Sequence, residues 1–261
     1  MYSINDADVT NTDPKKRFSN RVEDYRNFRP RYPHQLIDIL KSVCGLNRDY
    51  VIADVGSGTG ILTELLLPHC ERVYAIEPNP EMRHAAEKHL RTQPHFISVI
   101  GSAEETTLPD RSVDMIIAAQ AFHWFDRSRS KIEFARILKK RGWTVLLWNS
   151  RRTDANEFHK GLERLLAASS PDYSLINHRN IDKKELADFF SPQVMTHRTL
   201  SNEQILDWDG LKGRLRSASY IPKEGKRYEE IMDRAYILFR QFQERGFVSL
   251  QYTTEIFLSQ V

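Results

Sequence analysis

Short apolar runs and helix-spaced apolar faces alternate through the first 150 residues. The runs at 51–55, 72–76, 96–100, 113–119 and 143–148 have the length of strands. The run at 113–119 is nearly all apolar, as a strand covered on both faces requires. Leu36, Ile37, Leu40 and Val43 recur at helical spacing within 34–44, and 61–67 and 130–140 read as helices. Asn79-Pro80-Glu81 reads as a helix start, with a capping side chain, then proline, then an acid in the first turn. Arg141-Gly142 reads as the stop of the 130–140 helix. Strands alternating with helices at this interval predict a parallel sheet with right-handed crossovers.

After Asn149 the alternation ends. Residues 153–169, 182–190, 202–217 and 224–244 read as helices, and 193–200 and 250–258 as strands. The expected organisation is one α/β domain over 17–261. It comprises a core at 17–150, a mostly helical cap at 151–245 and a last strand within 246–261. Residues 1–16 are polar and aperiodic, and are expected to form a disordered tail. Aromatics and arginines mix between 17 and 33, where Pro30 and Pro33 are expected to stop any helix.

Composition narrows the function classes. Thirty-eight basic and 35 acidic residues give a net charge of +3, without the clustered basic face that nucleic acid calls for. The two cysteines, Cys44 and Cys70, have no paired ligand spacing, so no metal site is expected. No apolar leader or membrane-length run is present, which predicts a soluble, cytoplasmic protein without membrane partners. A monomer or a homodimer fits equally.

The first strand runs straight into Gly56-Ser57-Gly58-Thr59-Gly60 and then a helix. Such a turn lets a ligand approach the backbone, and the helix N-terminus beyond it offers free N–H groups. Asp54 ends the strand, and Glu77 follows the second strand 23 positions later. That interval is close to the spacing of ribose-binding acids in dinucleotide folds. Those folds require glycine at position 61, where this chain has Ile61. A carboxylate at 54 also suits a cationic ligand better than a pyrophosphate. S-adenosylmethionine, which carries an amino group and a sulfonium and no phosphate, fits better than NAD.

These segments resemble the class I S-adenosylmethionine-dependent methyltransferases. Residues 51–60 resemble the family's first motif, and 73–82, with Glu77 and Met82, its second. Gly101-Ser102-Ala103-Glu104 looks like its adenine segment, and 114–124 like its fourth strand and exit. The aromatic and arginine segment 18–33, Phe122-His123-Trp124-Phe125 and 213–220 resemble the trans-aconitate methyltransferase-like branch of the small-molecule, type 11 enzymes. The resemblance implies a Rossmann-like fold, with a seven-stranded, mostly parallel sheet, an antiparallel last strand and a helical cap. It implies cofactor contacts at Asp54, Gly56, Ser57, Gly58, Gly60, Glu77, Pro78, Met82, Ser102, Ala103, Glu104, Gln120 and Ala121.

For the acceptor side the residues leave alternatives open. His123 is the candidate base, against a structural histidine bonded to backbone. Tyr25 could fold over the cofactor with its ring close to the sulfonium, and Trp124 could line the acceptor pocket or pack against the following helix. Arg29 and Arg31 could clamp a carboxylate of either cofactor or acceptor. Arg214 and Arg216 rank lower, because most helix arginines are solvated. The expected activity is methylation of a small molecule, with carboxylic acids in view. The alternative is a sensor or partner protein that binds the cofactor without turnover.

Overall fold

The computed structural model describes residues 21–169, 173 and 182–261. The expected tail at 1–16 lies outside the described residues, as does Phe18. Among the described residues no helix is long and apolar enough to cross a membrane.

A seven-stranded sheet has the order β3-β2-β1-β4-β5-β7-β6. Its strands are β1 (Val51–Val55), β2 (Arg72–Ile76), β3 (Phe96–Val99), β4 (Val113–Ala119), β5 (Leu138–Arg151), β6 (Thr196–Leu206) and β7 (Val248–Gln260). Strands β1 to β5 pair in parallel, and β7 runs antiparallel to both β5 and β6. This is the mostly parallel sheet with an antiparallel last strand that the resemblance implied. The chain reverses direction across the sheet between β1 and β4, where open α/β sheets form a ligand crevice at the strands' carboxyl ends.

Alternate strand residues serve two cores. Ala53, Val55, Ile116 and Trp148 face α5 (Arg127–Ile137) and α7 (Lys183–Phe190). Ile52, Met115, Ile117 and Val145 face α2 (Gln35–Cys44) and α3 (Ile61–Leu66), with Leu90 of α4 (Pro80–Leu90). Side chains alternate across a strand, so these continuous apolar runs cover both faces. A third core joins α6 (Glu157–Ser169), α8 (Trp208–Arg216) and α9 (Lys226–Phe242) to Leu250 and Tyr252 of β7.

Two local expectations need correction. The helix expected at 130–140 ends at Ile137, and Leu138 turns extended to pair with Val113. Arg141-Gly142 does not stop a helix; it lies in a register shift within β5. A Cβ at Gly142 would come 2.7 Å from Leu138. Residues 202–206, expected to begin the 202–217 helix, continue β6 against β7. Sheet pairing outweighs helix propensity there, since propensity is a weak prior of a few tenths of a kcal/mol per residue. Helix α8 begins only after Asp207, whose carboxylate accepts from Gly210 N at 2.7 Å. The expectation that Pro30 stops any helix within 17–33 holds: α1 (Val22–Phe28) ends at Arg29, whose extended backbone suits a pre-proline residue.

The loop after β3 is held by a buried carboxylate. Glu133 of α5 accepts from Thr106 N at 2.8 Å and from Thr106 Oγ1 at 2.5 Å, and pairs with Arg136. The Arg136 hydrogen bond, helped by those from Thr106, lowers the Glu133 carboxyl to about 2. A lowered folded value means that its stabilisation is present above the unfolded value and lost as pH falls through about 2. In urea unfolding, Glu133→Gln is expected to cost about 2 kcal/mol at pH 7, with the gap to wild type closing between about pH 5 and pH 2.

Candidate active site

The parallel strands contribute to the site at or just beyond their carboxyl ends. The turn after β1 bends sharply because Gly56 N and Ser57 N both donate to Ile76 O, at 2.9 and 3.1 Å. Gly56, Gly58 and Gly60 all have positive φ. A Cβ at Gly56 would meet Ala121 at 2.6 Å, so the turn can lie against the exit of β4 only without a side chain.

Two adjoining chambers open around this turn. The first, of about 130 Å³, is walled by Glu77, Pro78 and Met82 on one side and by Ser102, Ala103 and Glu104 on the other. Ala121 and Phe125 close it. The second, of about 170 Å³, holds Asp54, Ser57, His123 and Arg29. Tyr25, Gly56, Gly58, Gln120 and Trp124 border both chambers.

The polar groups differ sharply between the chambers. Glu77 accepts from Gly58 N and Asn79 N, each at 2.8 Å, which ties the glycine turn to the end of β2. Burial raises its carboxyl, while those two bonds and Arg83 oppose the shift. Glu104 accepts from Asp126 N at 2.8 Å and so also braces the start of α5. Asp54 is 1% exposed and accepts from Thr63 Oγ1 at 2.6 Å through one oxygen. Its other oxygen has no hydrogen-bond partner among the described residues, and neither have Ser57 Oγ and Thr59 Oγ1. Burial pushes the Asp54 carboxyl up to about 7.

Most of the residues expected from sequence meet here; two do not. Gly60 borders neither chamber, and its Cα packs against Leu90, where a Cβ would sit 2.8 Å away. Arg31 turns outward to pair with Glu64 at 2.5 Å. Its expected place is taken by Arg214, ranked low by sequence. Arg214 reaches in from α8 to donate from Nε to Tyr252 Oη at 3.3 Å. Sequence reasoning also missed Tyr32, Asn149, Arg151, Tyr220 and Tyr252, which complete the second chamber. They lie far apart in the chain, and only the pairing of β5 with β7, which sets Arg151 opposite Tyr252, brings some of them together.

The donor set fits the cofactor that the resemblance implies. Unpartnered acceptor oxygens on Asp54, Ser57 and Thr59 face the second chamber and suit an ammonium. A carboxylate at the end of β2 beside an apolar slot lined by Met82 and Ala103 suits a ribose and a base. Among the described residues, no group of three or more His, Cys, Asp or Glu side chains could hold a metal.

Comparison with known proteins agrees. Residues 53–146 match the family model of a methyltransferase domain. The chain is 38% identical over 134 residues to an uncharacterized methyltransferase of Mycobacterium tuberculosis, covering 51% of this chain and 52% of that one. It is 34% identical over 137 residues to an uncharacterized methyltransferase-like protein of Schizosaccharomyces pombe, covering 52% of each. The chain thus spans about half the length of the curated relatives it matches. A solved structure described as a candidate type II methyltransferase from Anaeromyxobacter dehalogenans superposes with a TM-score of 0.64. It is 26% identical, and the match covers 89% of this chain and 97% of that one. A SAM-dependent methyltransferase from Aquifex aeolicus shares the fold at 15% identity, with a TM-score of 0.54 over 93% of this chain and 98% of that one.

The Asp54 shift has a sign that can be tested on the protein alone. A raised folded value means that the unfolded chain releases this proton first, so stability falls as pH rises from about 4 to about 7. Asp54→Asn keeps an acceptor for Thr63 and removes the buried charge. At pH 8 without ligand it is expected to stabilise the fold by about 2–4 kcal/mol in urea unfolding, with little effect near pH 4.

Proposed function

We propose that this chain, whose residues 53–146 form a methyltransferase domain of the class I S-adenosylmethionine-dependent kind, methylates a small carboxylic acid. The observation that carries the reading is the second chamber. It presents unpartnered acceptors on Asp54, Ser57 and Thr59 together with the guanidinium groups of Arg29, Arg151 and Arg214. When bound, S-adenosylmethionine supplies a methyl on a positive sulfur, which leaves as a neutral thioether as the acceptor oxygen's lone pair takes the carbon.

The chain's own residues bind, orient and exclude water. Asp54 accepts from the ammonium at the methionine end, and Glu77 from the ribose hydroxyls. Met82, Pro78 and Ala103 sandwich the base, with Ser102 and Glu104 at its edge. Gln120 is fixed by its Nε2, which donates to Asn149 O at 3.3 Å, and it forms the wall between the chambers with Ala121. Tyr25 and Trp124 border both chambers and shield the reacting atoms from water. A carboxylate arrives ionised and has no proton to lose. Positioning alone can then supply the rate, and His123 serves as a wall residue rather than a base.

Calorimetry with S-adenosylhomocysteine tests the cofactor half of this reading. Affinity is expected to climb with pH up to about 7, where Asp54 ionises, and to level off above it. Asp54→Asn should weaken binding at pH 8 by about tenfold or more and flatten that profile. A binding isotherm absent from folded wild-type protein would remove the reading. Labelled methyl transfer to carboxylic acids, phenols and amines tests the acceptor half. Acids are expected to be labelled, and His123→Asn should cost less than about tenfold, against the 10²–10⁴ that loss of a general base costs. Cofactor binding with no transfer to any class would instead identify a sensor.

A further inference from the structure

Asp54 stands in mid-sheet between strand neighbours that cannot donate. Its partners in register are Ala75 on β2 and Ile117 on β4. Ser57 and Thr59 line the same chamber, yet their buried hydroxyls have no hydrogen-bond partner among the described residues. Among those residues the one side-chain donor to Asp54 is Thr63, whose Oγ1 lies 2.6 Å from Oδ2. A threonine inside a helix often turns its hydroxyl back to a carbonyl one turn earlier. Thr63 instead reaches from α3 across to β1. Its side chain is 0% exposed and borders neither chamber. Whatever Thr63 does for a ligand, it does through Asp54.

The bond has two physical effects. It tethers one carboxylate oxygen, which fixes the rotation of the group and leaves Oδ1, the unpartnered oxygen, toward the second chamber. It also favours the ionised form, because an O–H donor is bound more strongly by a carboxylate than by a neutral acid. Burial raises the Asp54 carboxyl, the hydrogen bonding of Thr63 opposes that rise, and Glu77 adds to it. Thr63 is thus the residue that works against the retained proton.

Resting on the reading that Asp54 accepts from the cofactor's ammonium, we propose that Thr63 is a positioning residue for cofactor binding. Its hydroxyl holds Oδ2 so that Oδ1 stays aimed at the ammonium as an acceptor. Without that donor Asp54 keeps its proton to higher pH, and a neutral acid is a poor partner for an ammonium.

The test uses the full-length protein and two ligands. S-adenosylhomocysteine carries the ammonium, and 5′-methylthioadenosine has the same base, ribose and sulfur without the amino-acid end. Thr63→Val keeps the shape and removes the donor, and Thr63→Ser keeps the donor. A hydrogen bond to a charged group is worth about tenfold to a hundredfold in an equilibrium, which is a shift of about one to two pH units. The pH midpoint of S-adenosylhomocysteine affinity is therefore expected to rise by about that much in Thr63→Val. Affinity near pH 7 should fall about fivefold or more, and should still be climbing near pH 8, where wild type has levelled. Thr63→Ser should restore the wild-type profile. Affinity for 5′-methylthioadenosine should stay within about twofold in both variants. Added to Asp54→Asn, Thr63→Val should cost no more than about twofold further, because its effect passes through the carboxylate.

A folded Thr63→Val with the wild-type midpoint overturns the proposal, and so does one that weakens both ligands equally. If Thr63→Val does not fold, wild type decides. Its Thr63 methyl signal in NMR is expected to move with the ionisation of Asp54, and a signal that stays fixed while S-adenosylhomocysteine affinity changes overturns the proposal alone. Wild-type affinity for S-adenosylhomocysteine in Asp54→Asn near pH 8 overturns instead the reading on which it rests.

Discussion

Gly56 and Ser57 hang from a single acceptor, the carbonyl of Ile76, and Gly56 lies against Ala121 with no room for a side chain. That contact sets how closely the exit of β1 approaches the exit of β4. Because the two strands feed crossovers on opposite sides of the sheet, the space above them is left for a ligand. Glu77 fixes the same turn from the β2 side through Gly58 N. Both chambers take their shape from this backbone knot, and each opens on one side of it.

The site is built against the stability of the empty fold. Asp54 is buried with one oxygen unpartnered, and the guanidiniums of Arg29 and Arg214 line the same space. Each costs folding free energy that a bound cation or anion would return. Glu133 shows the opposite case a short distance away. Its carboxylate is buried but fully engaged by Arg136 and Thr106, and its proton is lost at low pH instead of being held. The two acids differ in partners, and Asp54 also lies deeper.

The segment from 21 to 32 lines the chambers and is tied down on both sides of them. Arg21 donates to the carbonyls of Arg216, Ala218 and Ile221 beyond the α8 end, and Phe28 fills the space that a side chain on Gly213 would need. On the other side Arg26 meets His89 and Arg31 meets Glu64. Arg31 thus spends its charge on holding this segment, which is why it does not face the second chamber. Tyr25 and Arg29, between those ties, are the residues turned inward.

The residues at 51–60, 72–82 and 113–124 determined the sheet's first half and the cofactor side of the site, because motifs there are local. A strand, a turn and the acid beside it are consecutive, and their spacing alone places them at one sheet edge. Propensity misread 138–140 and 202–206, where pairing with β4 and β7 overrode it. The far part of the second chamber was decided only by the tertiary structure. Arg29, Arg151, Arg214 and Tyr252 come from four elements across most of the chain, and nothing in their spacing marks them. Whether an arginine is solvated or faces a chamber depends on what packs behind its helix. Phe28 against Gly213 turns α8 so that Arg214 faces in, while Arg216 pairs with Asp24 at the surface.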